Sequence, residues 1–483
     1  MLSQIINLSF LLKIDSAWNK LLAESIIVNS VKGLFSQIAI NLQQLSLTQN
    51  IGSWLKSISI CLTLILFICL ALPQFANDKQ GLAAILLAAF ITWFSGELLA
   101  GQRKEEAKGK ANFVDALVLL FFCINIIATF SSHYFAASVH GLLKLFVYIL
   151  AYFLFCAQLK EKPQHQFTFM AILLVSAALL SLYGLYQFKI GVAPLATWED
   201  PNIEEQATRI YATFNNPNLF AGYLLPINML CAALVFANWS ISKWFTSIFT
   251  ISLTALLTLA LILTGSRGAY VGAFFGYAAL MIIGLTKIWL LKTKRRFILP
   301  ALLLLAPLAV FAIFHYLPGF EHRIVSIFAG REHSSNSFRL NVWLSSLAMF
   351  KDNWLIGIGV GNQAFCLAYG LYMRTGFDAL GTYCVPLEIA VETGLFGLTA
   401  FALIVASILY RAHVAFWSAN DQTGQDLSVY KKWLTAGAAV ALIALLGHGL
   451  VDTVFFRPQI QFIFYLLISI VIANTTYLSS SQK

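Results

Sequence analysis

Residues 244–285 read WFTSIFTISLTALLTLALILTGSRGAYVGAFFGYAALMIIGL, and a single charged residue, Arg267, interrupts them. A bilayer core is about 30 Å thick and takes about 20 apolar residues of helix to cross. The stretch therefore holds two crossings, 244–263 and 268–285, separated by the tripeptide Ser266, Arg267, Gly268. An arginine keeps its charge and is costly in hydrocarbon, so it marks where the chain must meet water, a cavity or an anion. The fold class that follows is an all-α polytopic transmembrane helical bundle.

Working outward, comparable apolar runs occur at 54–72, 81–99, 112–131, 139–157, 167–187, 219–238, 297–315, 385–410, 434–452 and 456–477, for about twelve spans in all. Composition agrees, with 59% apolar residues against 11% charged and a mean hydropathy of +0.78, a balance that excludes a soluble domain of this size. The net charge of +10 does not point to nucleic acid, because the basic residues sit in short loops between apolar runs and not on one long face. Cytoplasmic loops carry the Lys/Arg excess in membrane proteins. With the N-terminus inside, the inner segments hold Lys13, Lys20, Lys32 and Lys56; Arg103, Lys104, Lys108 and Lys110; Lys160 and Lys162; Lys243; Lys287, Lys292, Lys294, Arg295 and Arg296; Arg411, Lys431 and Lys432; and Lys483. Twelve spans and two cytoplasmic termini support each other, and the expected location is the cytoplasmic (inner) membrane. No cleavable signal peptide is evident, and Trp18 to Phe35 is either an amphipathic stretch lying on the inner membrane surface or a loosely ordered tail.

The chain divides into a cytoplasmic amphipathic N-terminal segment (1–53), N-terminal transmembrane helices (54–187), a membrane domain (188–452) and a last span with a short cytoplasmic tail (453–483). Two outer segments are long. Phe188 to Asn218 carries Glu199, Asp200, Glu204 and Glu205, and the outer loop 316–384 far exceeds what a connection needs. Within it, Phe338, Val342, Trp343, Leu347, Phe350 and Trp354 recur at helical spacing, which predicts a helix over Ser337 to Trp354 lying along the outer surface.

Arg267, flanked by Ser266 and Gly268, is the sharpest site candidate, because glycine lets backbone N–H groups approach the ligand of the neighbouring guanidinium. Arg339 on the predicted surface helix would complete a planar, bidentate grip on phosphate, carboxylate or bicarbonate oxygens. Snorkelling to outer headgroups is the plain alternative for both. Arg209, Arg323, Arg331 and Arg374 are weaker candidates. Glu388 and Glu392 are four apart and share one helix face, where they could pair with arginines, relay protons or cap the helix; Lys144, His448 and Asp452 raise the same question. Any of His315, His322 and His333 could act as a base near neutral pH, though a solvated loop histidine is the simpler reading of each. Gly357, Ile358, Gly359, Val360, Gly361, Asn362 lacks a preceding strand and reads as a turn re-entering the membrane, not a nucleotide loop. Among the seven cysteines no metal spacing occurs, so no metal site and no cofactor are expected. Cys366 and Cys384 could pair or stay reduced.

Taken in order, Asn216, Pro217, Asn218; Thr264 to Gly268; Arg339 with Trp343; Trp354 to Asn362; and Leu387 to Gly394 resemble the O-antigen ligase and polymerase superfamily of membrane glycosyltransferases over roughly residues 200 to 450. Asp200, Pro201, Asn202 and Ile210 to Phe214 are similar to its cyanobacterial branch named IctB, for inorganic-carbon (bicarbonate) transport. The resemblance makes 188–452 an O-antigen ligase-like membrane domain. It implies transfer of a glycan from a polyprenyl diphosphate on the outer face without nucleotide or metal, with Arg267 and Arg339 clamping the diphosphate; Asn216, Asn218, Glu388, Glu392 and Tyr383 are candidate supporting residues. The superfamily pattern has a histidine where this chain has Tyr383, and a phenol titrating near 10 is a poor base at neutral pH. The first expectation is therefore bicarbonate transport or accumulation at an outward-facing arginine site, with a ligase- or polymerase-type glycosyltransferase as the alternative. The partners expected are membrane lipid and either bicarbonate or a polyprenyl-diphosphate glycan.

Overall fold

A computed structural model of the chain describes residues 2–25, 47–75, 79–100, 112–192, 208–290, 325, 334–418 and 426–480. Among them there are helices and turns and no strands. The helices are α1 (Leu2–Glu24), α2 (Leu47–Cys69), α3 (Lys79–Ala100), α4 (Phe113–Phe130), α5 (Phe135–Glu161), α6 (His165–Ile190), α7 (Pro217–Ser240), α8 (Trp244–Leu263), α9 (Arg267–Leu290), α10 (Ser334–Asp352), α11 (Asn362–Tyr369), α12 (Val385–Ser418), α13 (Asp426–Gly449) and α14 (Pro458–Ser480). Eleven of these are long and apolar enough to cross a membrane. The remaining predicted span, 297–315, lies outside the described residues, as do the acidic stretch 193–207, Arg323, Arg331, His315, His322 and His333.

Backbone N–H and C=O groups cannot be left open in hydrocarbon, so each crossing closes its own hydrogen bonds as a helix. The starts are written locally. Asn112 and Asp115 form a capping box at α4, and Asn216 caps α7 through bonds to the Asn218 and Leu219 amides at 2.8 and 3.1 Å, with Pro217 at the first helical position. Every residue of Pro458–Thr475 in α14 is buried, making that helix an axis of the bundle, packed on α5, α12 and α13, while α13 also packs on α7 and α9. Large apolar side chains such as Phe245, Phe249 and Leu179 remain exposed, as lipid-facing residues must. Inside, polar side chains bond across helices: Gln158 donates to Ser59 and Thr63 at 3.1 and 3.0 Å, and Asn474 donates to Gln166 and Thr435, both at 2.9 Å.

The charges separate by end. Lys56 pairs with Glu97 and Glu161, Lys160 lies 3.8 Å from Asp115, and Arg411 is held by Asp15, which also accepts from the Phe113 amide. These contacts tie α1 and the ends of α2, α3, α4, α5 and α12 into one charged layer. The N-terminal segment is thus docked through α1 on α12 and α4; residues 26–46, which include most of the predicted surface stretch Trp18 to Phe35, lie outside the described residues.

Two predicted boundaries are corrected. The predicted outer helix begins earlier, at Ser334, and stops at Asp352, so Trp354 falls in the turn beyond it. The predicted 385–410 span continues to Ser418 and is broken at Gly394, which has φ 65° and ψ −165°. A Cβ at Gly394 would stand 2.2 Å from the Leu355 carbonyl oxygen, and the next amide, of Leu395, donates to the Trp354 carbonyl at 2.7 Å. The 354–361 loop therefore takes the place of a helical turn and sets the short Val385–Thr393 segment at its own angle.

Arg411 is 3% exposed, so removing its partner strands a buried cation. Asp15→Ala should lower stability by about 3–5 kcal/mol, measured as thermal denaturation of the purified protein, and an added Arg411→Met should recover most of that loss. A single variant within about 0.5 kcal/mol of the parent would show that the docked α1 does not depend on this pair.

Candidate functional site

The turn between α8 and α9 brings Arg267 to the end of the bundle opposite the lysine layer. Thr264 closes α8, its hydroxyl donating to the Leu261 carbonyl at 2.6 Å, and Gly265 reverses the chain at φ 63°. Ser266 is buried, and its hydroxyl accepts from the Ala269 amide at 3.4 Å as the cap of α9. Its oxygen is thus engaged in holding the helix start, one residue before Arg267.

Arg267 and Arg339 come together. Arg267 donates through Nη2 to the Ser335 hydroxyl at 2.7 Å and through Nη1 to Asn336 Oδ1 at 3.1 Å. Arg339 donates through Nη1 to the same Ser335 hydroxyl at 3.2 Å. The two guanidinium groups therefore lie within the summed length of two hydrogen bonds of each other. On α10, Ser335 and Arg339 are one turn apart, which places both on one helix face. Two buried donors of that helix, Arg339 Nε and Trp343 Nε1, have no hydrogen-bond partner among the described residues.

Beside this pair runs a second polar chain. Arg209 donates through Nε to the Thr264 carbonyl at 2.9 Å, where a cation suits the C-terminal end of α8, and through Nη2 to Asn218 Oδ1 at 3.0 Å. Asn218 in turn donates to Asp452 Oδ2 at 3.0 Å, and Asp452 Oδ1 accepts from the Val454 amide at 3.1 Å. Within the predicted Asn-Pro element, Asn216 is engaged in capping α7, while Asn218 belongs to this network.

Tyr383 has a left-handed backbone, φ 55°, and its ring lies 5.7 Å from that of Phe338 of α10. Burial pushes its phenol up; the Asp452 carboxylate adds to the rise, the Arg339 guanidinium opposes it, and Glu388 adds again. The proton on Tyr383 is thus held more tightly than in water. Glu388 Oε2 accepts from the Thr382 amide at 3.1 Å and the Thr382 hydroxyl at 3.3 Å, anchoring the turn that presents Tyr383.

Glu388 and Glu392 do share a face. Both are buried and both line a cavity of about 210 Å³ together with Lys144, Tyr148 and Arg457. Arg267 and Arg339 are not among its lining residues. The glycine run at 357–361 is a structural wedge: the Ser138 hydroxyl accepts from the Val360 amide at 2.6 Å, the Ile358 amide donates to the Val391 carbonyl at 2.9 Å, and a Cβ on Gly359 would meet Ser132 Oγ at 2.4 Å. Arg374 bonds Asn341 in an exposed position. Cys366 and Cys384 are separate free thiols.

Sequence reading gave His448 little weight, and the structure places it in this region. The ring is 1% exposed and lies on Gly268, where an added Cβ would stand 2.7 Å from its Cδ2. The only local signal was an isolated histidine four residues before Asp452 in an otherwise apolar run. Its neighbour Gly268 lies 180 positions away in the chain, beyond any local pattern.

Comparison with known proteins agrees with the resemblance over part of the chain. Residues 252–402 match the family model described as O-Antigen ligase, a range that contains Arg267, Arg339, Tyr383, Glu388 and Glu392 and stops short of His448 and Asp452. No curated protein matches the chain. Over the segment that brings its paired arginines together, this multi-pass membrane protein is similar to the O-antigen ligase family.

Proposed function

We propose that the protein is a glycosyltransferase of the O-antigen ligase or polymerase type, moving a glycan from a polyprenyl diphosphate to a hydroxyl acceptor at the non-cytoplasmic face of the inner membrane. The observation that carries this reading is the meeting of Arg267 and Arg339 on one neutral hydroxyl, Ser335. Two cations this close repel each other, and the repulsion grows in a medium less polar than water. A diphosphate held here would also accept from Arg339 Nε and Trp343 Nε1, buried donors without partners among the described residues. Arginine forks match phosphate oxygens in a bidentate way that a lysine cannot reproduce.

In the transfer, the acceptor oxygen bonds to the anomeric carbon as the bond from that carbon to the diphosphate oxygen breaks. The electron pair leaves with the diphosphate. Charge therefore builds at the place the guanidinium groups address, so their interaction is stronger in the transition state than with bound donor. The lysine layer of Lys56 and Lys160, joined by Arg411, supports an orientation in which, by the charge rule, that end faces the cytoplasm with both termini and the arginine end faces outward.

Bicarbonate would be gripped by the same arginines. The family match supports the glycan reading, and nothing in the comparisons supports inorganic-carbon transport, so the order of the two expectations is reversed.

Deletion of the gene should alter the surface glycan profile, and the parent sequence should restore it. Arg267→Ala and Arg339→Lys should each lower transfer about 100-fold or more, by analogy with loss of one donor to a developing anion. An unchanged profile on deletion, with bicarbonate flux into liposomes that Arg267→Ala abolishes, would replace this reading with the transporter.

Binding can be read separately from turnover. Undecaprenyl diphosphate should bind the purified protein in nanodiscs, and the affinity should fall with rising salt less steeply than for an exposed basic patch, because screening is weak at partly buried sites. Equal binding by the parent and by an Arg267→Ala, Arg339→Ala double variant would remove the arginines from the site.

A further inference from the structure

Glu388 and Glu392 are only 4% and 7% exposed, and what exposure they keep is to the cavity of about 210 Å³ walled by α4, α5, α12 and α14. A buried carboxylate is costly unless its charge is answered. Two cations line the same cavity, and they answer from a distance. Lys144 is near enough to Glu392, and Arg457 to Tyr148, to act on them electrostatically, yet neither cation closes an ion pair or a side-chain hydrogen bond with a described residue. Lys144 follows the start of α5 at Phe135 by nine residues, about 13 Å of helix, and an ammonium at that depth requires water or a counter-charge. Opposite charges are thus held apart across an open polar space.

The cavity and the arginine pair lie back to back. Glu388, inside the cavity, accepts from the Thr382 amide and hydroxyl, and the next residue, Tyr383, feels the Arg339 guanidinium. Asp452 belongs to the chain that runs through Asn218 to Arg209, and the next residue, Thr453, lines the cavity. At both places consecutive residues serve the two sites, so a molecule seated in the cavity is within reach of one held by the arginines.

The lining selects the ligand. Its charged side chains balance, two of each sign, so a ligand with net charge is opposed by one pair. A hydroxyl both donates and accepts, and a neutral polyol therefore serves the carboxylates and the cations together, through the stronger, charge-assisted kind of hydrogen bond. Tyr148, Phe455 and Phe464 add aromatic surface for the C–H faces of a ring. The volume is below the roughly 300–1,000 Å³ of a site for a drug-sized ligand, which suits one sugar unit. Resting on the glycan-transfer reading, we infer that this cavity seats the acceptor, taking a neutral terminal sugar ring and presenting it to the donor at the arginines. Glu392, and Glu388 through the Oε1 that Thr382 leaves open, accept from its hydroxyls, while Lys144 and Arg457 donate to them.

The test uses the full-length protein in nanodiscs and in cells lacking the gene. The probes are the methyl glycosides of glucose, galactose and mannose, with glucuronate and glucosamine as charged counterparts, and binding is read by saturation-transfer NMR. At least one neutral glycoside should bind, and more tightly than either charged sugar. Glu392→Gln and Lys144→Met each remove a charged hydrogen-bond partner and should weaken that binding about tenfold, with undecaprenyl diphosphate binding unchanged. Leu380→Trp keeps every charge and changes a side chain that is 70% exposed at the cavity, so the fold tolerates it; it should block the glycoside and lower recovery of the surface glycan. Arg267→Ala should leave glycoside binding intact. The assignment is overturned if the parent binds no neutral glycoside, if a charged sugar binds more tightly, or if Leu380→Trp loses the glycoside and still restores the glycan in full. Should undecaprenyl diphosphate bind and deletion change the glycan while no glycoside binds, the acceptor seat alone falls. Should glycosides bind while the parent neither binds undecaprenyl diphosphate nor changes the glycan profile, the transferase reading falls and takes the acceptor role with it.

Discussion

A guanidinium cannot be neutralised by moving into a membrane. Arg267 interrupts a long apolar stretch, and its charge survives any burial the bundle could impose. The local structure follows from that constraint. The chain turns at Thr264 and Gly265, Ser266 caps the next helix, and Ser335 and Asn336 supply oxygens to the guanidinium. Ser335 belongs to α10, which also carries Arg339, so satisfying the first cation delivers the second to the same place.

Polar groups elsewhere obey the same rule and reach different ends. Lys56, Lys160 and Arg411 each find a carboxylate on a neighbouring helix, and such pairs hold helix ends together. The arginine end is organised otherwise. There the partners among the described residues include Ser335, Asn336, Asn218 and a backbone carbonyl, and Asn218 in turn reaches the carboxylate of Asp452. Beside them lie a buried imidazole, His448, and two buried N–H donors, Arg339 Nε and Trp343 Nε1, that have no hydrogen-bond partner among the described residues.

Much of the architecture was legible in the residues because lipid makes it local. The span predicted at 244–263 has the bounds of α8, and the Asn-Pro pair at 216–217 announces the start of α7. Glu388 and Glu392 were read on one face because four residues make about one turn, and both line one cavity. The break at Gly394 was not legible. It depends on the Leu355 carbonyl approaching from a separate loop, and nothing in an apolar run marks a close approach by another segment. Asn216 drew attention as a site residue, although its side chain serves the helix cap; in sequence, a capping asparagine and a ligand-binding one look alike.

The sequence by itself determined that this chain crosses the membrane many times as helices, and that its charges must gather at the ends. Both follow from the transfer of short segments between water and hydrocarbon, a property each segment carries alone. Only the tertiary structure decided that Arg267 and Arg339 meet over Ser335, that Asp452 is held through Asn218 to Arg209, and that His448 lies against Gly268. Those juxtapositions join residues tens to hundreds of positions apart, and packing fixes them through space filled or left open, most plainly by the missing side chain at Gly268.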